Sequence, residues 1–323
     1  MRDGIPEEHI QLLAEVASLY YEQNLDQSEI ASQLQVSRSS VSRLLTEARE
    51  LKVIEFRVNF PLLRDTDLED AINQYFSQPS IRVLNTKNVA SDHILQRLGR
   101  LASNYLLSII GDNLLIGLTW GTSLYETVDA MSRYHLTGIK VVQVIGASGG
   151  NNPLIDGTDI ARKFAEKVGG QHFYLHSPLI VENSQIRDAI LNDPSISKTL
   201  ELARQTDLLI TGIGTNDPKL SAQLRAGYVS EDELRGLREA GAVGEFCGYH
   251  IDRFGDVMDT PNNQKVVGIT VEEIRNIPHV IGVASGAAKA PTIMAALRGG
   301  LVNALITDDY AASEVLCLMD KEA

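Results

Sequence analysis

Leu114-Leu115-Ile116-Gly117-Leu118-Thr119-Trp120-Gly121-Thr122-Ser123 holds a strand, a turn and the start of a helix in one short stretch. The run at 114–118 is apolar throughout rather than alternating, as expected of a strand covered on both faces. Gly121 permits a sharp turn, and two hydroxyl residues open the helical stretch after it. The same grammar recurs on either side. Apolar runs at 81–84, 139–145, 172–175, 208–212, 280–284 and 304–307 alternate with helical stretches, with glycines at the junctions. This alternation predicts an α/β domain whose sheet is mostly parallel and doubly wound.

In such sheets ligands sit beyond the carboxyl ends of the strands, so the chemistry is expected in the loop after each run. After 114–118 come Thr122 and Ser123 at a helix start, where backbone N–H groups and the helix dipole favour an anion by about 0.3–1 kcal/mol per charge. Either hydroxyl could equally be a plain helix cap. After 280–284 comes Ser285-Gly286-Ala287-Ala288-Lys289, leading into a helix at 291–297 with Pro291 in its first turn. Lys289 there suits a phosphate, against the plainer reading of a solvated surface lysine. Gly146-Ala147-Ser148-Gly149-Gly150 and Gly212-Ile213-Gly214-Thr215 are two more glycine turns after strands. Gly244-Glu245-Phe246-Cys247-Gly248-Tyr249 sets a carboxylate between glycines. Glu245 would accept hydrogen bonds from sugar hydroxyls, or else from a backbone turn. Cys247 reads as a buried small residue, and Asp308 and Asp309 as helix caps. The seven histidines are scattered without metal-ligand spacing, and no G-x-S-x-G, HExxH, CxxC or P-loop occurs. No metal, cofactor or catalytic constellation is expected.

The N-terminal texture is different. Residues 1–57 contain one Gly and one Pro and read as three helices. The first carries Ile10, Leu13, Ala14, Ala17, Tyr20 and Tyr21 at helical spacing. Asp26 with Glu29 forms a capping box that opens the second, which buries Ile30, Ala31 and Leu34. Ser37 caps the third, with Val41, Leu44 and Leu45 turned inward. Ala31 allows a steep, close crossing, and Leu34 and Val36 plug the turn. This is a helix-turn-helix, with Gln35 at the turn position usually held by glycine, where it must adopt a less favourable backbone conformation or alter the turn. The free face holds Arg38, Ser39, Ser40, Ser42, Arg43 and later Arg49, side chains suited to phosphates and base edges. Residues 36–45 contain two Arg and no acid in an otherwise acidic region. Residues 53–58 alternate apolar and polar, predicting a strand and hence a winged variant. Residues 61–67 read as a link, with Asp67 capping a helix over roughly 68–77.

Composition bounds the function. A length of 323 residues suggests two domains, placed at 1–60 for DNA binding and 61–323 for effector binding and oligomerisation. With 44% apolar and 22% charged residues, disorder as the main state is excluded. Two cysteines, Cys247 and Cys317, are too few for a disulfide scaffold. A net charge of −13 argues against coating nucleic acid with the whole surface, while leaving room for a local DNA-reading patch. The N-terminus lacks the basic head and apolar stretch of a signal peptide, and no apolar run is long enough for a membrane span. The expected compartment is the cytoplasm.

Several stretches resemble the SorC family of bacterial sugar-responsive transcription regulators. They are Leu19-Tyr20-Tyr21, Gln27-Ser28-Glu29-Ile30-Ala31, Ser37-Arg38 with Val41-Ser42-Arg43-Leu44-Leu45, and Gly117 to Ser123. They continue through Gly227-Tyr228, Gly241-Ala242-Val243-Gly244-Glu245, Phe254-Gly255-Asp256, Gly282 to Lys289 and Gly299 to Asp308. The resemblance covers nearly the whole chain, in order. It implies a winged helix-turn-helix joined to a sugar-binding domain similar to phosphosugar isomerases, in a homotetramer that binds paired operator sites. It implies an effector pocket of Trp120, Gly121, Thr122, Ser123, Glu245 and Lys289. Some relatives carry a lysine after the third core strand that bonds covalently to a sugar aldehyde. Ile145 stands at that position here, so the effector is expected to bind non-covalently. Glu245 replaces the Asp common in its motif.

Three functions compete. The first is a ligand-controlled transcription regulator of a carbohydrate or polyol operon, with Gln27, Arg38, Ser39, Ser40, Ser42 and Arg43 contacting DNA and a sugar or sugar phosphate as effector. The second is a sugar-phosphate isomerase-like enzyme with an appended helical domain, for which Glu245 is the one acid/base candidate and lacks a visible partner. The third is a partner-binding protein whose helices serve assembly. Neutralising Arg38 and Arg43 separates them, abolishing DNA binding in the first and sparing turnover in the second.

Overall fold

The computed structural model describes residues 6–54, 61–76, 80–149 and 156–321. It separates into two units, Met1–Pro61 and Leu62–Ala323.

In the first unit, α1 (Glu7–Tyr21), α2 (Gln27–Gln33) and α3 (Arg38–Glu50) surround a small core of Val16, Leu19, Ile30, Ala31, Val41 and Leu45. The inward face of α1 is carried by Leu13, Val16, Ala17 and Leu19, while Ala14 is exposed. The capping box is present: Asp26 accepts from the Ser28 and Glu29 backbone, and Glu29 accepts from the Asp26 N–H at 2.7 Å. Gln35 lies in the left-handed region at φ 54°, as its place in the turn requires. The Val36 N–H closes that turn on the Ala31 carbonyl at 3.0 Å. Val36 does not plug the turn. It is 41% exposed, because the left-handed step at Gln35 aims the next side chain outward. Along α3 the buried residues are Val41, Leu45 and Ala48, and Leu44 is half-buried. Of the strand expected at 53–58, Val53 and Ile54 form a bend, and the remainder lies outside the described residues.

Among the described residues, the second unit is built on nine strands. They are β1 (Ser80–Leu84), β2 (Leu115–Leu118), β3 (Lys140–Gln143), β4 (Gln171–Phe173), β5 (Leu208–Gly212), β6 (Gly244–Phe246), β7 (Tyr249–Ile251), β8 (His279–Val283) and β9 (Ala304–Asp308). Seven of them form one parallel sheet in the order β1-β9-β8-β5-β2-β3-β4, and each expected apolar run supplies one. Alternate residues feed two cores: Leu209, Val280 and Leu305 face one, and Ile210, Ile281 and Ile306 face the other. That two-sided burial is why these runs are apolar throughout. The helix after the link runs Thr66–Tyr75, and its cap is Asp65 rather than Asp67. The Asp65 carboxylate reaches the Leu68 N–H at 3.2 Å, which leaves Asp67 inside the first turn.

Strand order decides where a ligand can sit. From β2 the chain moves outward to β3 and β4, then returns to β5 on the other side of β2 and moves away through β8 and β9. The loops leaving β2 and β5 therefore part in opposite directions, opening a crevice at the carboxyl edge. The hairpin β6–β7, inserted between β5 and β8, delivers one more side chain to that crevice.

Candidate functional site

Thr119 to Leu124, Ile145, Thr211 to Gly214, Leu220, Arg225, Glu245, Cys247 and Lys289 line a cavity at this crevice. Trp120, Gly121, Thr122, Ser123, Glu245 and Lys289 thus converge from three separate stretches of chain on one place.

Each wall has a local cause. Gly121, at φ 127°, ends the β2 loop and serves as N-cap of the helix Thr122–Ala130. No side chain caps that helix, so Thr122 and Ser123 are not its caps, and its first N–H groups open on the cavity. The Trp120 indole is fixed by its N–H to the Gly146 carbonyl at 3.0 Å. The loop after β8 turns at Gly286 (φ 93°) and brings Lys289 inward ahead of the helix Ala290–Arg298. Asp308 braces this loop, accepting from Ser285 and Gly286 while capping Asp309–Asp320. Asp309 is not a cap: it accepts from the Thr86 backbone and hydroxyl. The loop after β5 is joined to the Lys289 loop by Thr215, whose hydroxyl donates to the Ala288 carbonyl at 2.8 Å.

Glu245 reaches the cavity on β6, a strand that the sequence pattern did not predict. The Gly214 N–H donates to the Glu245 carbonyl at 2.9 Å, pinning the hairpin to the exit of β5. A Cβ on Gly214 would lie 2.0 Å from Glu245 Cγ, so only glycine allows the approach. The hairpin turn is Cys247-Gly248, both at positive φ (49° and 87°). That conformation suits a two-residue hairpin loop and costs a cysteine about 1 kcal/mol. Cys247 is buried, and lost hydration pushes its thiol up to about 12, so it stays neutral.

The electrostatics of the cavity centre on two groups. Burial pushes the Glu245 carboxyl up to about 7, against the opposing pull of the Gln223 amide, Lys289 and Arg225. Its Oε2 is buried and accepts no hydrogen bond among the described residues. Burial likewise holds the Lys289 ammonium down to about 8, opposed by Glu245 and reinforced by Arg225. Lys289 is half-buried at the cavity wall, not a solvated surface lysine. Ile145, 3% exposed, presents an apolar side chain to the same space. Arg225, on the short helix Ala222–Arg225, is a charged cavity residue that sequence reading missed, as it missed Leu220 and Thr211. A single arginine in a polar stretch has no periodic or glycine-turn signal.

In the first unit, Arg38, Ser39, Ser42 and Arg43 are exposed on α3, and Gln27 is half-buried at the start of α2. Ser37 accepts from the Ser40 N–H at 3.1 Å and shares 2.8 Å contacts with the Ser39 and Ser40 hydroxyls. Ser39 and Ser40 are therefore partly engaged in the cap. Arg49 bends back to the Leu45 carbonyl at 3.3 Å.

A sugar-binding-domain family model (Sugar-bind) matches residues 61–317. The chain belongs to the SorC family of transcription regulators. Residues 13–51 match the model of sigma-70 region 4, consistent with the helix-turn-helix geometry of α2 and α3. The "Transcriptional regulator LsrR" of Enterobacter sp. (strain 638) is 30% identical over 95% of this chain and 93% of its own length. The "Deoxyribonucleoside regulator" of Bacillus subtilis (strain 168) is 28% identical over 94% of this chain and 96% of its own. The crystal structure of the full-length sorbitol operon regulator SorC from Klebsiella pneumoniae shares the fold. It has a TM-score of 0.71 at 24% identity, covering 96% of this chain and all of that one. These relatives are named regulators, and among the described residues no helix is long and apolar enough to cross a membrane.

Proposed function

We propose that the chain is a cytoplasmic, non-enzymatic DNA-binding regulator of a carbohydrate or polyol catabolic operon, switched by a sugar or sugar-phosphate effector in the crevice of its second unit. Residues 1–60 bind operator DNA, and residues 61–323 hold the effector and form the homotetramer. Arg38 and Arg43 contact phosphate or base edges, Ser42 reads bases, and Gln27, Ser39 and Ser40 support the approach. Trp120, Gly121, Thr122, Ser123, Glu245 and Lys289 contact the effector.

The observation that carries this reading is the convergence of an uncapped helix start, a lysine and a buried carboxyl group with one oxygen lacking a hydrogen bond, at the switch point of the sheet. An anionic group suits the helix start and Lys289, and a hydroxyl suits Glu245. Binding is non-covalent, since Ile145 replaces the imine-forming lysine of some relatives. The switch needs a few kcal/mol of differential effector affinity between two states of the oligomer.

Fluorescence anisotropy on DNA from upstream of the protein's own operon tests the reading, at fixed salt, with a panel of free and phosphorylated sugars and polyols. Tight binding shifted by one phosphorylated compound supports it. A shift by an unphosphorylated polyol alone overturns the phosphate assignment of Thr122, Ser123 and Lys289. Upstream DNA binding no better than random DNA, with or without ligand, overturns the regulator. Borohydride treatment of the complex should leave the protein mass unchanged; a sugar adduct would overturn non-covalent binding.

A further inference from the structure

We propose that His250 is a positioning residue for effector recognition: its Nε2–H orients the buried Gln223 amide, which in turn orients the Glu245 carboxyl group toward hydroxyls of the effector. This rests on the effector-pocket reading above.

β6 and β7 pair so that Glu245 stands directly opposite His250, with both side chains on one face of the hairpin. Glu245 lines the cavity, whereas His250 and Gln223, each 1% exposed, are not among its lining residues. The Gly248 carbonyl decides which way the Gln223 amide points. A carbonyl only accepts, so the amide atom 2.8 Å from it is Nε2, and Oε1 is the atom that faces His250. The 3.1 Å contact of His250 Nε2 with that oxygen therefore places the ring proton on Nε2. Asn262 donates to the same oxygen at 3.3 Å.

The amide nitrogen has two hydrogens. Gly248 takes one, and the other is left for Glu245, whose charged form the Gln223 amide favours. Turned the other way, the amide would set its oxygen against the Gly248 carbonyl and the Glu245 carboxyl group, both acceptors. His250 thus acts on Glu245 through Gln223.

The ring itself is held from both sides of its backbone. The His250 N–H donates to Asn263 Oδ1 at 2.8 Å, and Asn263 Nδ2 donates to the His250 carbonyl at 2.9 Å and the Met258 carbonyl at 2.7 Å. His250 Nδ1 is buried and has no hydrogen-bond partner among the described residues. A phenyl ring would fill the same space without an unpaired nitrogen, so packing alone does not account for a histidine here. Burial pushes the imidazole down to about 4, which keeps the ring neutral with its proton on Nε2.

Calorimetric titration of the full-length protein with glycerol 3-phosphate and propyl phosphate tests this, because the probes share a phosphate and differ by hydroxyls. The parent should bind glycerol 3-phosphate more tightly. His250→Phe should cut that preference about fivefold while leaving propyl phosphate within about twofold. His250→Gln, whose amide N–H takes the place of Nε2–H, should restore most of it. In a Glu245→Gln background, His250→Phe should leave the preference within about twofold. Equal weakening of both probes, or no rescue by His250→Gln, overturns the positioning role and leaves the effector pocket standing. Should His250→Phe melt early by circular dichroism, nitrogen-15 spectra of the parent's labelled histidines decide. They should show His250 neutral with its proton on Nε2, and a proton on Nδ1 or a charged ring overturns the proposal. Equal affinity of the parent for both probes overturns hydroxyl recognition and the positioning role together. No binding of either probe at millimolar concentration overturns the phosphate pocket as well.

Discussion

Glu245 is an acid held where water cannot solvate its charge, and that has a sign. Its carboxyl ionises near 4.5 when unhindered and near 7 in the fold. Below pH 4.5 it is neutral in both states and costs nothing. Between pH 4.5 and 7 the unfolded chain ionises first, so the folded state loses stability as pH rises, and above pH 7 the loss is constant. Its full extent is about 3 kcal/mol, with the pull of Lys289 already included. Glu245→Gln should therefore unfold at higher urea than the parent at pH 8, with the gap closing toward pH 4.5; a gap that widens in acid would contradict the burial argument. Binding obeys the same logic. Lys289 keeps its charge below about 8, so lowering pH from 8 to 6.5 removes a negative charge from the cavity and leaves the positive one. Affinity for a phosphorylated effector should rise over that interval, and calorimetry on Glu245→Gln should show a flatter profile. The places of Glu245 and Lys289 at the cavity were legible because Glu245 stands between glycines and Lys289 follows a glycine turn after a strand. Arg225 was not, because its place depends on a fold of the loop that only Gln223 and its buried partners specify.

At the scale of elements, the apolar runs were readable because a strand sandwiched between two cores must be apolar on both faces. The hairpin β6–β7 was not, since strands as short as Gly244–Phe246 show no period, and the Cys247-Gly248 turn departs from the usual Asn-Gly signal. The Asp65 cap was misplaced because Asp65 and Asp67 stand two residues apart and either carboxylate can begin a helix. Two substitutions probe how elements assemble. Gly214→Ala should force Glu245 off its position, lowering effector affinity at least tenfold while the far end of the sheet stays folded, as read by calorimetry beside amide exchange. Ser37→Ala removes the cap of α3 and the tether of two hydroxyls, and should cost the first unit about 1 kcal/mol in urea unfolding. An unchanged midpoint would mean that Ser39 or Ser40 takes over the cap.

Across the whole molecule, a chain of net charge −13 still sets positive side chains on the exposed face of α3 and in the crevice of the sheet. Replacing Arg38 or Arg43 with Ala should weaken operator binding and reduce the salt dependence of affinity by about one unit for each phosphate no longer neutralised. A base-reading role for Arg43 would instead relax sequence preference with the salt slope unchanged. Effector affinity should be the same in both variants, and a parallel loss there would mean that the change reaches beyond α3.

The edge strand β1 pairs in parallel with β9, Ser80 against Ala304 through Leu84 against Asp308. β1 therefore leaves the ribosome long before β9, the strand that it pairs with. Such long-range closure slows folding and leaves the early strand exposed during synthesis. A message cut short before codon 304 yields a chain whose DNA-reading helices are complete but whose sensor cannot close. Because β9 also ends in Asp308, which braces the Lys289 loop, closing the sheet and fixing that loop become one event. Ribosome-arrested chains ending before and after β9 should differ sharply in protease resistance of the second unit.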